Sequence, residues 1–284
     1  MRYATFERDA RVSFGIVKGQ GIVDLGGVIE ARSLKELIAS NYEGIDDFVD
    51  KAPDVSLEEV LLLPPIPDAS AMWCAGINTH SHFAEAAERM GIQEMPKYPM
   101  FFLRANNTLV GSGEPIEKPK LEPNFDYEGE IAVIIGDRCR NVSVEDATKH
   151  IAGYSCFNDG SARQYQIRGY QVTTGKNAFH SAGFGPWMVT ADEIDIRNLV
   201  LQTRVNGDVR QNMAIDDLIF SFAQLISHIS EVTWLEPGDV LVTGSAEGSG
   251  ALRNPQVFLS EGDVVEVEVS GIGTLVNEVR EQRL

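Results

Sequence analysis

The chain has 284 residues, of which 43% are hydrophobic and 23% charged, an ordinary globular composition with room for one large domain and a small companion. Forty-two acidic against 24 basic residues give a net charge of −18, so no basic stripe can offset a phosphate backbone and a nucleic-acid partner is excluded. No run approaches the ~20 apolar residues of a membrane helix. The start, MRYATFERDARVSFG, lacks the apolar stretch of a secretory signal. Cys74, Cys139 and Cys156 are odd in number and widely spaced, which reads as reduced thiols of a cytoplasmic protein.

Taken in chain order, residues 1–62 alternate strand-like runs (RYATFE, RVSFGIV, GIVDL) with two amphipathic stretches, SLKELIAS and YEGIDDFVDKA. LLLPPIPDAS (61–70) carries three prolines and reads as an extended linker. The expected organisation is a small N-terminal α/β domain over 1–68 and a catalytic domain over 69–284. The second part is strand-rich, with expected strands at 130–136, 152–159, 185–190, 199–207, 239–244 and a hairpin over 263–279. Expected helices lie at 80–91, 143–151 and 216–230, the last burying Leu218, Ile219, Phe222, Leu225, Ile226 and Ile229 on one face. The fold class is α+β, mostly β, with a barrel or folded sheet.

NFDYEGEIAVIIG (124–136) carries the clearest chemical signal. On a strand Asp126, Glu128 and Glu130 share a face, and three like charges there are costly without a positive partner. The apolar run after them suits a strand covered on both faces, placing the acids at its mouth. A hard divalent cation with oxygen ligands resolves the repulsion; a solvated acidic edge also fits the same letters. In SCFNDGSARQYQ (155–166), Asp159 could supply a third ligand, with Gly160 permitting the turn. Arg163 suits a bidentate carboxylate contact or a surface ion pair. His82 and Glu85 in GINTHSHFAEAAER (76–89) are three apart on the expected helix, so the carboxylate can orient the imidazole for water activation; a structural histidine is the alternative. Lys176 sits in a Gly-, Ser- and Asn-rich loop. Thr243 ends an apolar strand before the glycine-rich run of DVLVTGSAEGSGA (239–251), whose N–H groups could bind an oxyanion or simply form a tight hairpin.

In this order the segments resemble the fumarylacetoacetate hydrolase family. GINTHSHFAE is similar to its G-x-N-Y-x-x-H-x-x-E segment, DYEGEIAVIIG to its metal strand, and FNDGSARQYQ to its N-D-x-S-A-R-x-x-Q block. GKN…GPW and VTGSAEGSG resemble two further blocks, and the likeness spans about 70–280. It implies a fold of mixed β-sheet rolls, a homodimer, and Mg²⁺ (or Mn²⁺ or Ca²⁺) held by Glu128, Glu130 and Asp159. It also implies a His82–Glu85 dyad on a mobile lid and a catalytic Lys176. Arg163, Gln166, Thr243 and Gly244 would bind substrate. The implied activity is hydrolysis of a C–C bond in acylpyruvate-type 2-oxo acids, as in aromatic catabolism. Decarboxylation, isomerisation or tautomerisation at the same site, or a non-catalytic binding role, are the alternatives. Three departures surround the expected pocket: Thr79 replaces a Tyr, Phe179 stands where an Asp is common, and 243–250 reads TGSAEGSG.

Overall fold

The computed structural model describes residues 1–90, 94–169 and 171–283. Its strands, among the described residues, form a twelve-stranded mixed sheet, a five-stranded sheet and a two-stranded ribbon. Gly129–Ile135 runs through the large sheet between Ile151–Asn158 and Val240–Val242, antiparallel to both. Every residue of it is buried. Alternation between two buried faces explains why its sequence is continuously apolar from Ile131 to Ile135. Ile131, Val133 and Ile135 pack with Leu201, Met213 and Val267 of the smaller sheet and Leu225, Ile226 and Ile229 of a helix. Ala132 and Ile134 pack on the other face with Tyr3, Phe14, Leu34 and Met188. The fold is the mostly-β mixed-sheet arrangement expected from the sequence.

The N-terminal strands Arg2–Arg8, Arg11–Lys18 and Gly21–Asp24 extend the large sheet, because Arg2–Arg8 pairs with Ala182–Thr190. Residues on either side of position 68 therefore share one sheet and one core. Leu61–Leu63 of the expected linker is itself a strand against Arg2–Arg8. Thr5 Oγ1 donates to the Pro65 carbonyl at 2.7 Å and ties the proline-rich segment to the same strand.

The helices differ from expectation at their ends. Leu34–Ala39 forms, capped by Ser33, but 42–52 gives a 3₁₀ turn, Asp46–Phe48, with no side-chain cap. Positive φ at Asn41, Tyr42 and Gly44 breaks the path before a second helix can start. The helix expected at 80–91 is His80–Met90, Gly91 lying outside the described residues. At 143–151 a single α-turn, Val144–Ala147, passes into a 3₁₀ turn. The helix expected at 216–230 begins later, as Phe222–Val232. Ser221 and Gln224 form a reciprocal capping box there, so Leu218 and Ile219 precede the helix and do not belong to its face. No helix among the described residues is long and apolar enough to cross a membrane.

Ser221→Ala removes the acceptor for the Gln224 N–H at the start of a helix whose Leu225, Ile226 and Ile229 fill the core. The expected cost is about 1 kcal/mol, read as a lower urea midpoint with an unchanged slope.

Candidate metal centre

Glu128, Glu130 and Asp159 converge: one carboxylate oxygen from each lies within 4.8 Å of the others, and all three residues are buried. Two adjacent strands bring them together. Glu130 is on Gly129–Ile135, and Asp159 comes directly after Ile151–Asn158. The Asp159 N–H donates to the Glu128 carbonyl at 2.7 Å, and the Glu128 N–H donates to Asn158 Oδ1 at 3.1 Å. Gly160 lets the chain turn past a neighbour, since a Cβ there would fall 1.9 Å from the Ser181 carbonyl oxygen.

Asp126 does not join them. The strand is interrupted at Tyr127 and Glu128, and Asp126 belongs to a two-residue strand, Phe125–Asp126, paired with Ser161–Ala162. Its carboxylate accepts the N–H groups of Gly250 (2.7 Å) and Ala251 (2.9 Å) and pairs with Arg163 at 2.8 Å. It anchors the glycine-rich loop rather than sharing a face with the two glutamates.

Three cations surround the acids. Arg163 bridges Asp126 and Glu128, the latter at 2.9 Å, and its Nη1 donates to Gln166 Oε1 at 2.9 Å. Lys176, expected in a loop, ends the short helix Thr173–Lys176 and bonds both Glu128 and Asp159. Arg104, which no sequence motif singled out, is buried and donates from Nε to Asp159 at 2.5 Å and from Nη2 to the Gly160 carbonyl at 2.5 Å. Its one signal is a cation directly after the apolar run MFFL.

These partners divide the carboxylates unequally. Burial pushes Glu128 up, but the Arg163 and Lys176 charges more than offset it and hold the carboxyl well below its ordinary range. Burial pulls the Lys176 ammonium down, and Asp159 and Glu128 overcome this and raise it. Glu130 receives the Gly244 N–H at 2.5 Å and stands beside two other acids. Burial first, then the Asp159 charge, drives its carboxyl well above the usual value. Among the described residues four acids, Asp126, Glu128, Glu130 and Asp159, thus face three cations, Arg104, Arg163 and Lys176. A buried, all-oxygen donor set with one surplus negative charge fits a hard divalent cation.

The remaining expected site residues take other places. Thr243 donates its hydroxyl to the Ile131 carbonyl at 3.0 Å, and Gly244 gives its N–H to Glu130. Both hold the Gly129–Ile135 strand. Gly244 has φ +103°, and a Cβ would fall 2.6 Å from that of Asn78. His82 and Glu85 face one another, but His82 Nδ1 is 3.8 Å from the carboxylate and has no hydrogen-bond partner among the described residues, while Glu85 accepts the Gly248 N–H at 3.0 Å. Thr79 explains its own departure from the resembled pattern. Its hydroxyl caps the helix by accepting the His82 N–H at 3.2 Å and donates to the Ser245 carbonyl at 2.8 Å.

Residues 71–280 match the family described as Fumarylacetoacetate (FAA) hydrolase C-terminal. The chain belongs to the fumarylacetoacetate hydrolase family. Among curated relatives of this family, the oxaloacetate tautomerase YisK of Bacillus subtilis (strain 168) is 33% identical, over 98% of this chain and 100% of its own. The 2,4-didehydro-3-deoxy-L-rhamnonate hydrolase of Sphingomonas sp. (strain SKA58) is 34% identical, over 100% of this chain and 97% of its own. Maleylpyruvate hydrolase from Sphingobium sp. SYK-6, solved in complex with manganese(II) and pyruvate, superposes with a TM-score of 0.82 at 27% identity, covering 100% of both chains. The protein is thus an enzyme of a family with hydrolase and tautomerase members, one of which binds a divalent metal.

Glu130→Gln separates the acid's two roles. Removing an acid that burial and the Asp159 charge make costly to ionise raises metal-free stability by about 1 kcal/mol at a pH where it is charged, whereas Mn²⁺ binding, which needs the deprotonated carboxylate, weakens by at least ~10–100-fold. Thermal melts with and without chelator, together with calorimetric titration of Mn²⁺, read both effects.

Proposed function

We propose that the chain is a divalent-cation-dependent hydrolase that cleaves a C–C bond in an acylpyruvate-type 2-oxo acid, with Mg²⁺ or Mn²⁺ held by Glu128, Glu130 and Asp159. The observation that carries this reading is the convergence of those three buried carboxylates with one charge left unbalanced. When bound there, the cation would supply Lewis-acid stabilisation of the oxygen charge that develops on a chelating 2-oxo acid.

The chain's own residues supply the proton chemistry. His82 presents an Nδ1 that no hydrogen bond occupies among the described residues, 3.8 Å from the Glu85 carboxylate; a small rotation pairs them and orients the imidazole as a general base. The imidazole takes a proton from water, whose oxygen bonds to the distal acyl carbon. The C–C bond to the methylene then breaks, its electron pair leaving on pyruvate as the enolate. The imidazolium returns its proton to that carbon, giving pyruvate and a carboxylic acid. Lys176, kept charged by Asp159 and Glu128, holds substrate oxygen charge, and Arg163 with Gln166 borders the same space. The family homodimer belongs to this reading. Met100–Leu103 closes one edge of the large sheet with Met100 and Leu103 each 48% exposed, an apolar edge of the kind a second copy covers.

Tautomerisation of a 2-oxo acid is the second reading, favoured by the full-length likeness to an oxaloacetate tautomerase. It uses the same proton-moving imidazole and needs no water. Mass-spectrometric screening of acylpyruvates, oxaloacetate and unsaturated 2-hydroxy diacids with Mg²⁺ and Mn²⁺ separates the two. Hydrolysis predicts pyruvate plus acid from an acylpyruvate, and His82→Asn lowering kcat by ~10²–10⁴-fold with Mn²⁺ affinity retained. Intact acylpyruvates with accelerated enol–keto exchange of oxaloacetate would replace it by tautomerisation. Turnover of none of these compounds, with cation binding intact, would overturn both readings.

A further inference from the structure

The two sheets meet at Gly129, the residue between Glu128 and Glu130. Thr203 and Gln211 are cross-strand partners on Val200–Val205 and Asp208–Ala214, and both press on that peptide. A Cβ at Gly129 would fall 1.9 Å from Thr203 Oγ1, so only glycine lets the sheets approach this closely. Gln211 Oε1 accepts the Gly129 N–H at 2.9 Å. The other end of the same amide donates to Ser245 Oγ at 2.7 Å and to the Ala246 carbonyl at 2.9 Å. Those residues come directly after Gly244, whose N–H holds the Glu130 carboxylate.

Gln211 is 2% exposed, although its strand is the outer one of the five-stranded sheet. An amide buried there must find partners on both ends, and it finds them on two segments that otherwise come from distant parts of the chain. A side-chain amide is flat and rigid. Its acceptor end sets where the peptide between the two glutamates lies; its donor end sets where the turn at 244–246 lies relative to that peptide. Glu130 is held by both.

We propose that Gln211 is a positioning residue for the carboxylate centre, fixing the Gly129 peptide against the 244–246 turn and thereby the convergence of the Glu128 and Glu130 oxygens on one cation. This rests on the reading of Glu128, Glu130 and Asp159 as cation ligands. Gln211 touches neither cation nor substrate, and groups at that remove set ligand geometry with effects of ~10–100-fold on metal affinity.

The test is Mn²⁺ titration of the metal-free full-length protein, followed by electron paramagnetic resonance of free and bound ion. Gln211→Met keeps length and bulk but loses both ends of the amide, and is expected to weaken Mn²⁺ binding by ~10–100-fold and to change the spectrum of the bound ion. Gln211→Glu keeps an acceptor for Gly129 and loses the donor to Ala246, so it falls between Gln211→Met and wild type and decides the matter if Gln211→Met does not fold. Thr203→Val removes a hydroxyl that has no hydrogen-bond partner among the described residues at the same sheet contact and leaves affinity unchanged. Folded Gln211 variants that melt earlier but bind Mn²⁺ with wild-type affinity and spectrum would reduce Gln211 to a packing residue and overturn the proposal. Wild-type protein that binds no Mn²⁺ would instead overturn the ligand reading beneath it.

Discussion

Like charge, buried and crowded, is the constraint to which the rest of this molecule answers. Two unit charges 4 Å apart at an effective dielectric of 20 repel by about 4 kcal/mol, and here three carboxylates lie within about that distance with almost no solvent. The chain meets the repulsion with specific partners. Arg163 and Lys176 take Glu128, and Lys176 and Arg104 take Asp159. Glu130 is left with a backbone N–H beside two acids. A site with one acid under-neutralised has its strongest remaining affinity for a small cation of high charge.

The fold's irregular points answer to that arrangement. A regular strand through 126–130 would have put three acids on one face; interrupting it before Gly129 sends Asp126 to the glycine-rich loop, where two N–H groups and Arg163 satisfy it. Gly129 allows the second sheet to reach the ligand strand, and Gly244, at φ +103°, allows the loop to deliver its N–H to Glu130. Behind these points the strand is buried on both faces, and a packed interior of this density resists small shifts. The aim of the three carboxylates is therefore set by contacts on both faces of the sheet and by two glycines.

Much of this was legible in the letters. Alternation and apolar runs located the strands because their side chains meet two distinct cores, and Glu128, Glu130 and Asp159 stood out because acids beside apolar runs need an explanation. Three kinds of feature were not legible. Helix starts were misplaced where hydrophobic periodicity continued past a cap, as at Leu218 and Ile219 before Ser221. Polar residues whose roles come from long-range contacts carried no local pattern: Arg104 reaches Asp159 across 55 positions and Gln211 reaches Gly129 across 82. Side-chain direction was the third, since the Thr243 hydroxyl, expected at substrate, donates to the Ile131 carbonyl. A strand-end hydroxyl looks the same in sequence whether it points at a ligand or at a neighbouring carbonyl.

The net charge of −18 sharpens the argument for a cation from another direction. An acidic protein repels an anionic 2-oxo acid at long range, so attraction must come from the site itself. Arg104, Arg163 and Lys176 are already paired with protein carboxylates, and the four acids exceed them by one. With all four acids ionised, two added positive charges bring the local balance to one positive, at the spot where the carboxylate oxygens converge. The crowding that makes the carboxylates costly on their own would therefore make the cation-loaded site selective for a small carboxylate that can chelate.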